Sequence, residues 1–106
     1  MLITCYNPVQ LGDVLVMLLR QDAPEQKVKR VGDIVEISNK VDGTVLGFNF
    51  FNASKYLGEI KGTGQVFLKA EQLKALQHQL KLAHFTEQLE PEKEPKFVIG
   101  YVEELK

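Results

Sequence analysis

Apolar residues in the first half of the chain come as short runs and alternations, and further on they fall at helical spacing. Leu2 to Tyr6 is an apolar-rich run closed by Asn7-Pro8, a turn signal. Gly12-Asp13 opens Val14-Leu15-Val16-Met17-Leu18-Leu19, which Arg20-Gln21-Asp22 stops. An unbroken apolar run predicts a strand covered on both faces; buried helix is the alternative that periodicity leaves open. Residues 20–30 are polar, contain Pro24 and read as loop. Gly32-Asp33 then opens Ile34-Val35-Glu36-Ile37. Both Gly-Asp pairs read as turns leading into strands, with glycine supplying the backbone freedom.

Asp42-Gly43 lies between two strand-like segments and predicts a hairpin with a type I′ turn. The returning strand covers 44–51, with Leu46, Phe48 and Phe50 on the core face. Val45, Asn49 and Phe51 share the other face with Gly47, which permits a close backbone approach or a bulge. Asn52 to Leu57 reads as a helical turn with Asn52 as N-cap. Gly58 to Gly64 reads as loop, and Gln65 to Leu68 as a short strand or extended lead-in. Leu73, Leu76, Leu80 and Ala83 form one apolar stripe in a Gly- and Pro-free helix over 70–84. The expected fold is α+β: a small antiparallel-rich sheet from residues 2–6, 14–19, 33–39 and 44–51, with this helix packed on one face.

A hydrophobic content of 44% in 106 residues is enough for one core without metal or disulfide. There is no apolar stretch of 18 residues and no leader-like start, so neither a membrane partner nor export is expected. A single cysteine fits the cytoplasm. Residues 1–85 carry 10 Lys+Arg against 8 Asp+Glu, a net of +2, and residues 86–106 carry 3 against 6, a net of −3. Neither piece has the basic excess of a phosphate-binding surface. Lys27, Lys29 and Arg30 are the one small cluster, read as solvated surface.

Catalytic patterns are sparse. Cys5 sits in an apolar run, where a free thiol behaves as a small hydrophobe. His78 and His84 are six residues apart and point about 120° from each other on a helix, so they make no metal pair. Gly62-Thr63-Gly64 lacks the remaining residues of a phosphate loop. Asp13, Asp33, Glu36 and Asp42 show no spacing that pairs them for acid–base work. Neither enzyme activity, a cofactor nor a metal is expected. The most unusual segment is Phe48-Asn49-Phe50-Phe51-Asn52. Its alternation fits a half-buried strand, with a base-stacking surface as the lesser reading. Asn49, Phe51 and Asn52 are the binding candidates. For the two asparagines a structural role is preferred, with side chains bonded to backbone groups where the strand ends.

Gly47-Phe48-Asn49-Phe50-Phe51-Asn52-Ala53-Ser54 resembles a signature of the N-terminal domain of bacterial YtpR-type tRNA-binding proteins. Tyr6-Asn7, Gly12-Asp13-Val14-Leu15 and Gly32-Asp33-Ile34-Val35 also look like that domain. Phe97-Val98-Ile99-Gly100-Tyr101-Val102 resembles the first strand of the OB domain that these proteins share with the phenylalanyl-tRNA synthetase β chain. The resemblance implies an N-terminal accessory domain over 1–85 and an acidic, Pro-containing linker over 86–95. It also implies the first strand of a truncated OB-type domain over 96–106, the chain stopping before the His-Pro segment that normally follows. It implies a non-catalytic cytoplasmic protein whose tRNA contacts lie mainly in the OB domain, with weak or no nucleic-acid binding by this fragment. A protein-interaction or dimerisation module, most simply a homodimer, is the alternative.

Overall fold

The computed structural model describes residues 2–89. Six strands form one sheet: Ile3–Tyr6 (β1), Val14–Leu18 (β2), Gln26–Val31 (β3), Ile34–Asn39 (β4), Val45–Phe51 (β5) and Gly64–Val66 (β6). Their order is β3-β4-β5-β2-β1-β6, and every neighbouring pair is antiparallel. Three helices accompany them: Pro8–Leu11 (α1), Ala53–Leu57 (α2) and Ala70–Leu82 (α3). The fold is α+β, as the pattern predicts.

Strand alternation sorts the side chains onto two faces. Thr4 and Tyr6 of β1, Leu15 and Met17 of β2, and Phe48 and Phe50 of β5 are buried on one of them. Leu73, Leu76 and Leu80 of α3 join the same cluster, so the predicted stripe is the surface that docks the helix. On the opposite face Val14, Val16 and Leu18 stay half-buried, and no described helix lies over them. The expectation that β2 is covered on both faces is therefore met on one face only among the described residues.

Residues 26–31 are a strand, not the expected loop. All six are exposed, so no inward-facing period exists to be read. Pairing with β4, from Gln26↔Asn39 to Val31↔Ile34, holds them in place as an edge. Gly32 (φ 59) and Asp33 are the two turn residues, with glycine at the position a type II′ turn reserves for it. The hairpin between β4 and β5 forms as predicted, but through a longer loop than a type I′ turn. The Asn39 N–H donates to Thr44 O (2.8 Å) and the Gly43 N–H to Asn39 O (2.8 Å). Asn39 and Asp42 side chains accept from Val41 N (2.8 Å) and Thr44 N (2.9 Å), and these local bonds outcompete the tighter turn. Register then shifts between Ile37↔Gly47 and Ser38↔Val45, leaving Leu46 as the extra residue of a β-bulge.

Helix α3 ends in a Schellman motif. The Phe85 N–H donates to Leu80 O (2.9 Å) and the His84 N–H to Lys81 O (3.0 Å), and Phe85 and Leu80 are both buried. His84 occupies the left-handed position (φ 66) usually given to glycine. His84→Gly should therefore raise stability by about 0.5–1 kcal/mol, measurable as a higher urea midpoint. A lower midpoint would mean that the imidazole contributes more than the backbone strain costs.

The folded unit continues past the helix. Gln77 Nε2 donates to Glu87 O (2.9 Å), and the Leu89 N–H donates to Gln77 Oε1 (2.6 Å). Arg20 pairs with Glu87 (3.0 Å), and Leu89 is buried. Residues 86–89, expected to begin a linker, are thus held on the domain by one carboxamide, one ion pair and one buried leucine. The rest of that expected linker and the expected strand over 96–106 lie outside the described residues.

Candidate functional site

The segment 48–52 divides between the two faces. Phe48 and Phe50 are fully buried in the core. Asn49 and Phe51 project from the opposite face. Asn52 ends the strand in a left-handed conformation (φ 56, ψ 44). The base-stacking reading loses most of its surface this way. Of the three phenylalanines Phe51 alone stays on the open face, and the Arg30 guanidinium lies 4.6 Å from its ring centroid.

Asn49 stands between Val16 on β2 and Val35 on β4. Its Oδ1 has lost contact with water and accepts no hydrogen bond. Asn52 donates from Nδ2 to Asp33 Oδ1 (3.2 Å) and makes no side-chain cap. The expectation that both amides bond backbone groups is thus not met. Asn52 needs no local cap because Asp13 caps α2 from across the chain.

That cap uses the first Gly-Asp turn. The Ala53 N–H donates to Asp13 O (3.0 Å), and the Ser54 N–H to Asp13 Oδ1 (3.0 Å). Ser54 Oγ donates to Asp13 Oδ2 (2.6 Å) and Tyr6 OH to Asp13 Oδ1 (2.7 Å). The second Gly-Asp turn acts in parallel: Tyr56 OH donates to Asp33 Oδ2 (2.7 Å), and the Phe51 N–H donates to Asp33 O (2.7 Å). The two aspartates are not paired with each other. Asp13 anchors Ala53 and Ser54 of α2, and Asp33 anchors Tyr56. The recurring Gly-Asp pair in the sequence was the available signal, but it does not reveal the donors 41 and 23 residues away.

These bonds set the charge states. The Ser54 hydroxyl holds the Asp13 carboxyl below its ordinary 3.8, and the Tyr56 hydroxyl does the same for Asp33. The same bonds push the Tyr6 and Tyr56 hydroxyls above 10.0. At neutral pH the site is two engaged carboxylates and two protonated phenols, an arrangement that fastens a helix rather than moving a proton. Because both folded carboxyl values are depressed, their contribution to stability is complete above about pH 5 and is lost as pH falls through 4 and below. The tyrosines, with raised values, contribute below about pH 10 and lose that contribution as pH rises past it. Asp13→Asn should cost about 1–2 kcal/mol at pH 7 and flatten the acid side of the stability profile. Urea midpoints between pH 3 and 7 check this; an unchanged acid slope in Asp13→Asn would contradict it.

The basic cluster does not converge. Lys27 and Lys29 pair in register with Ser38 and Glu36 on the helix side of the sheet, whereas Arg30 pairs with Val35 on the open side. Lys29 Nζ stands 5.6 Å from the Phe85 ring centroid. Cys5 is half-buried opposite Val16 on the open face. His78 and His84 are exposed. Among the described residues no three His, Cys, Asp or Glu side chains are placed to hold a metal ion, and no helix is long and apolar enough to cross a membrane.

Comparison with known proteins adds a relative. The chain is 37% identical over 99 residues to a Bacillus subtilis (strain 168) protein named "Putative tRNA-binding protein YtpR". The match covers 92% of this chain and 49% of the relative, so the chain spans about half the length of the protein it matches. No solved structure matches it significantly. Residues 21–92 match the family described as "Domain of unknown function (DUF4479)". That match covers more than half of the sequence and includes β3, β4, β5, α2, β6 and α3, and the chain belongs to this family.

Proposed function

We propose that this chain is a non-catalytic, cytoplasmic accessory domain of a tRNA-binding protein, and that the tRNA contacts are made mainly by an OB-type domain outside residues 2–89. The observation that carries the reading is the 37% identity to a relative named for tRNA binding, over 92% of this chain. Two features of the surface support placing the contacts elsewhere. Lys27, Lys29 and Arg30 point to two sides of an edge strand, so they do not track a phosphate backbone together. Phe48 and Phe50 are in the core, and Arg30 occupies Phe51. The non-catalytic reading is supported by the carboxylates of Asp13 and Asp33, which are engaged by the hydroxyls and amides that anchor α2.

The experiment is a titration of labelled tRNA with the full-length Bacillus subtilis relative and with a version lacking the segment that aligns with this chain. The shortened protein is expected to keep most of the affinity. If removing the segment abolishes binding while the remainder stays folded, the accessory reading fails.

A further inference from the structure

The outer side of β3 pairs with no strand among the described residues. The Lys40 N–H donates to Glu25 O (3.0 Å) at one end of the β3–β4 ladder, and Val31↔Ile34 closes the turn at the other. The odd-numbered residues of β3 therefore bond inward to β4. The backbone N–H and C=O groups of Gln26, Val28 and Arg30 point outward in one extended row. Such a row is a template for another strand.

The side chains narrow the choice of strand. Lys27 and Lys29 stand on the helix side of the sheet, and Val28, 63% exposed, stands between them on the open side. Arg30 is already engaged: its Nε donates to Gly32 O (2.8 Å), and its guanidinium lies over the Phe51 ring. Lys27 and Lys29 have no ion-pair partner among the described residues. Glu36, opposite Lys29, is the one carboxylate that β3 and β4 carry. A second copy is the wrong occupant. With the two-fold axis at Lys27, Val28 or Lys29, self-pairing sets lysine directly opposite lysine, which is destabilising. Edge lysines guard the strand against copies of itself and leave it open to a strand of opposite charge. Antiparallel pairing, the pattern of this sheet, puts one residue of the newcomer opposite each of Lys27, Val28 and Lys29. Complementarity asks there for a carboxylate, an apolar side chain and a second carboxylate.

We propose that the outer edge of β3 takes up an extended acidic segment of a partner protein as a further antiparallel strand, with alternate carboxylates against Lys27 and Lys29 and an apolar residue beside Val28. The inference does not rest on tRNA binding. Its failure would leave the accessory reading standing.

The probe is a capped, fluorescein-labelled octapeptide of alternating glutamate and valine. It is titrated with the 106-residue chain and followed by anisotropy. Saturable binding is expected, and an octapeptide of alternating lysine and valine should not bind. In the proposed register the peptide's valines aim their N–H groups at β3, and its glutamates aim theirs away. N-methylating the valines should therefore weaken binding at least roughly tenfold. N-methylating the glutamates should leave it nearly unchanged. Both peptides carry the same charge and meet the unaltered chain, so this comparison stands even if a variant fails to fold. Lys27→Glu combined with Lys29→Glu should reverse the preference, toward the lysine peptide. No binding of the glutamate peptide overturns the proposal. So does binding that both N-methylated peptides keep or both lose, since an added strand would spare only one of them. A charge-reversed chain that stays folded and keeps the original preference also overturns it.

Discussion

Gly47→Ala is expected to cost at least about 3 kcal/mol, more than any other single-methyl addition in the sheet. A β-carbon at position 47 would lie 2.2 Å from the Met17 carbonyl oxygen, 3.2 Å from its carbon and 3.3 Å from Leu18 Cα. All three are backbone atoms of β2, so no side chain can swing aside to make room. The tightness has a local cause. Leu46 bulges beside Gly47, and its carbonyl accepts from both Leu19 N (2.8 Å) and Arg20 N (3.1 Å), which draws the two strands together. Replacing glycine also restricts the unfolded chain, a gain of about 0.4–1 kcal/mol. The clash exceeds that gain, so the net sign is destabilising. In a domain of this size the melting temperature should fall by roughly 12–24 °C. A Gly47→Ala variant that melts within a few degrees of the parent would show that β2 and β5 are not this close.

Phe48→Ala and Phe51→Ala, three residues apart on one strand, should differ by several kcal/mol. Phe48 is fully buried, with the Phe85 ring 5.6 Å away edge-on and the Phe50 ring 6.2 Å away. Removing it leaves a cavity between the sheet and the segment after α3, at about 3–5 kcal/mol. Phe51 stands on the open face with one side to solvent and Arg30 over its ring. Its loss removes part of one apolar surface and a cation–π contact of about 0.5–1 kcal/mol. Chemical unfolding measures both. Similar losses for the two variants would mean that the open face is as deeply buried as the core.

The core was readable because it obeys two periods. Phe48 and Phe50 alternate along β5, and Leu73, Leu76 and Leu80 repeat along α3, so pattern alone placed them together. Leu46, expected on that face, is the bulge residue and lies outside the cluster, whereas Val45, expected on the opposite face, packs against it. The edge strand β3 was not readable. Its six residues are all exposed, and it exists through hydrogen bonds to β4 rather than through any buried side chain. The open face was half readable. The run Val14 to Leu19 announced two apolar faces, but nothing in it said that the described chain would cover only one. The anchoring of α2 was out of reach for a different reason. Asp13 and Asp33 meet Ser54 and Tyr56 across long stretches of chain, and such side-chain pairs leave no periodic trace. Within the candidate segment, alternation correctly separated Phe50 from Asn49 and Phe51. It could not foresee that Asn49 would be left without a hydrogen-bond partner or that Asn52 would turn left-handed.

The central claim is that this domain accompanies tRNA binding without supplying the main contacts. The most direct test is a fluorescence anisotropy titration of labelled tRNA with the 106-residue chain, repeated over a salt series beside the full-length Bacillus subtilis relative. An accessory domain should bind weakly, with binding that collapses as salt rises, whereas binding by the relative should persist where the chain's is gone. Tight, salt-tolerant binding by the chain alone would contradict it, and would move the tRNA contacts onto the surface around Asn49, Phe51 and Asn52.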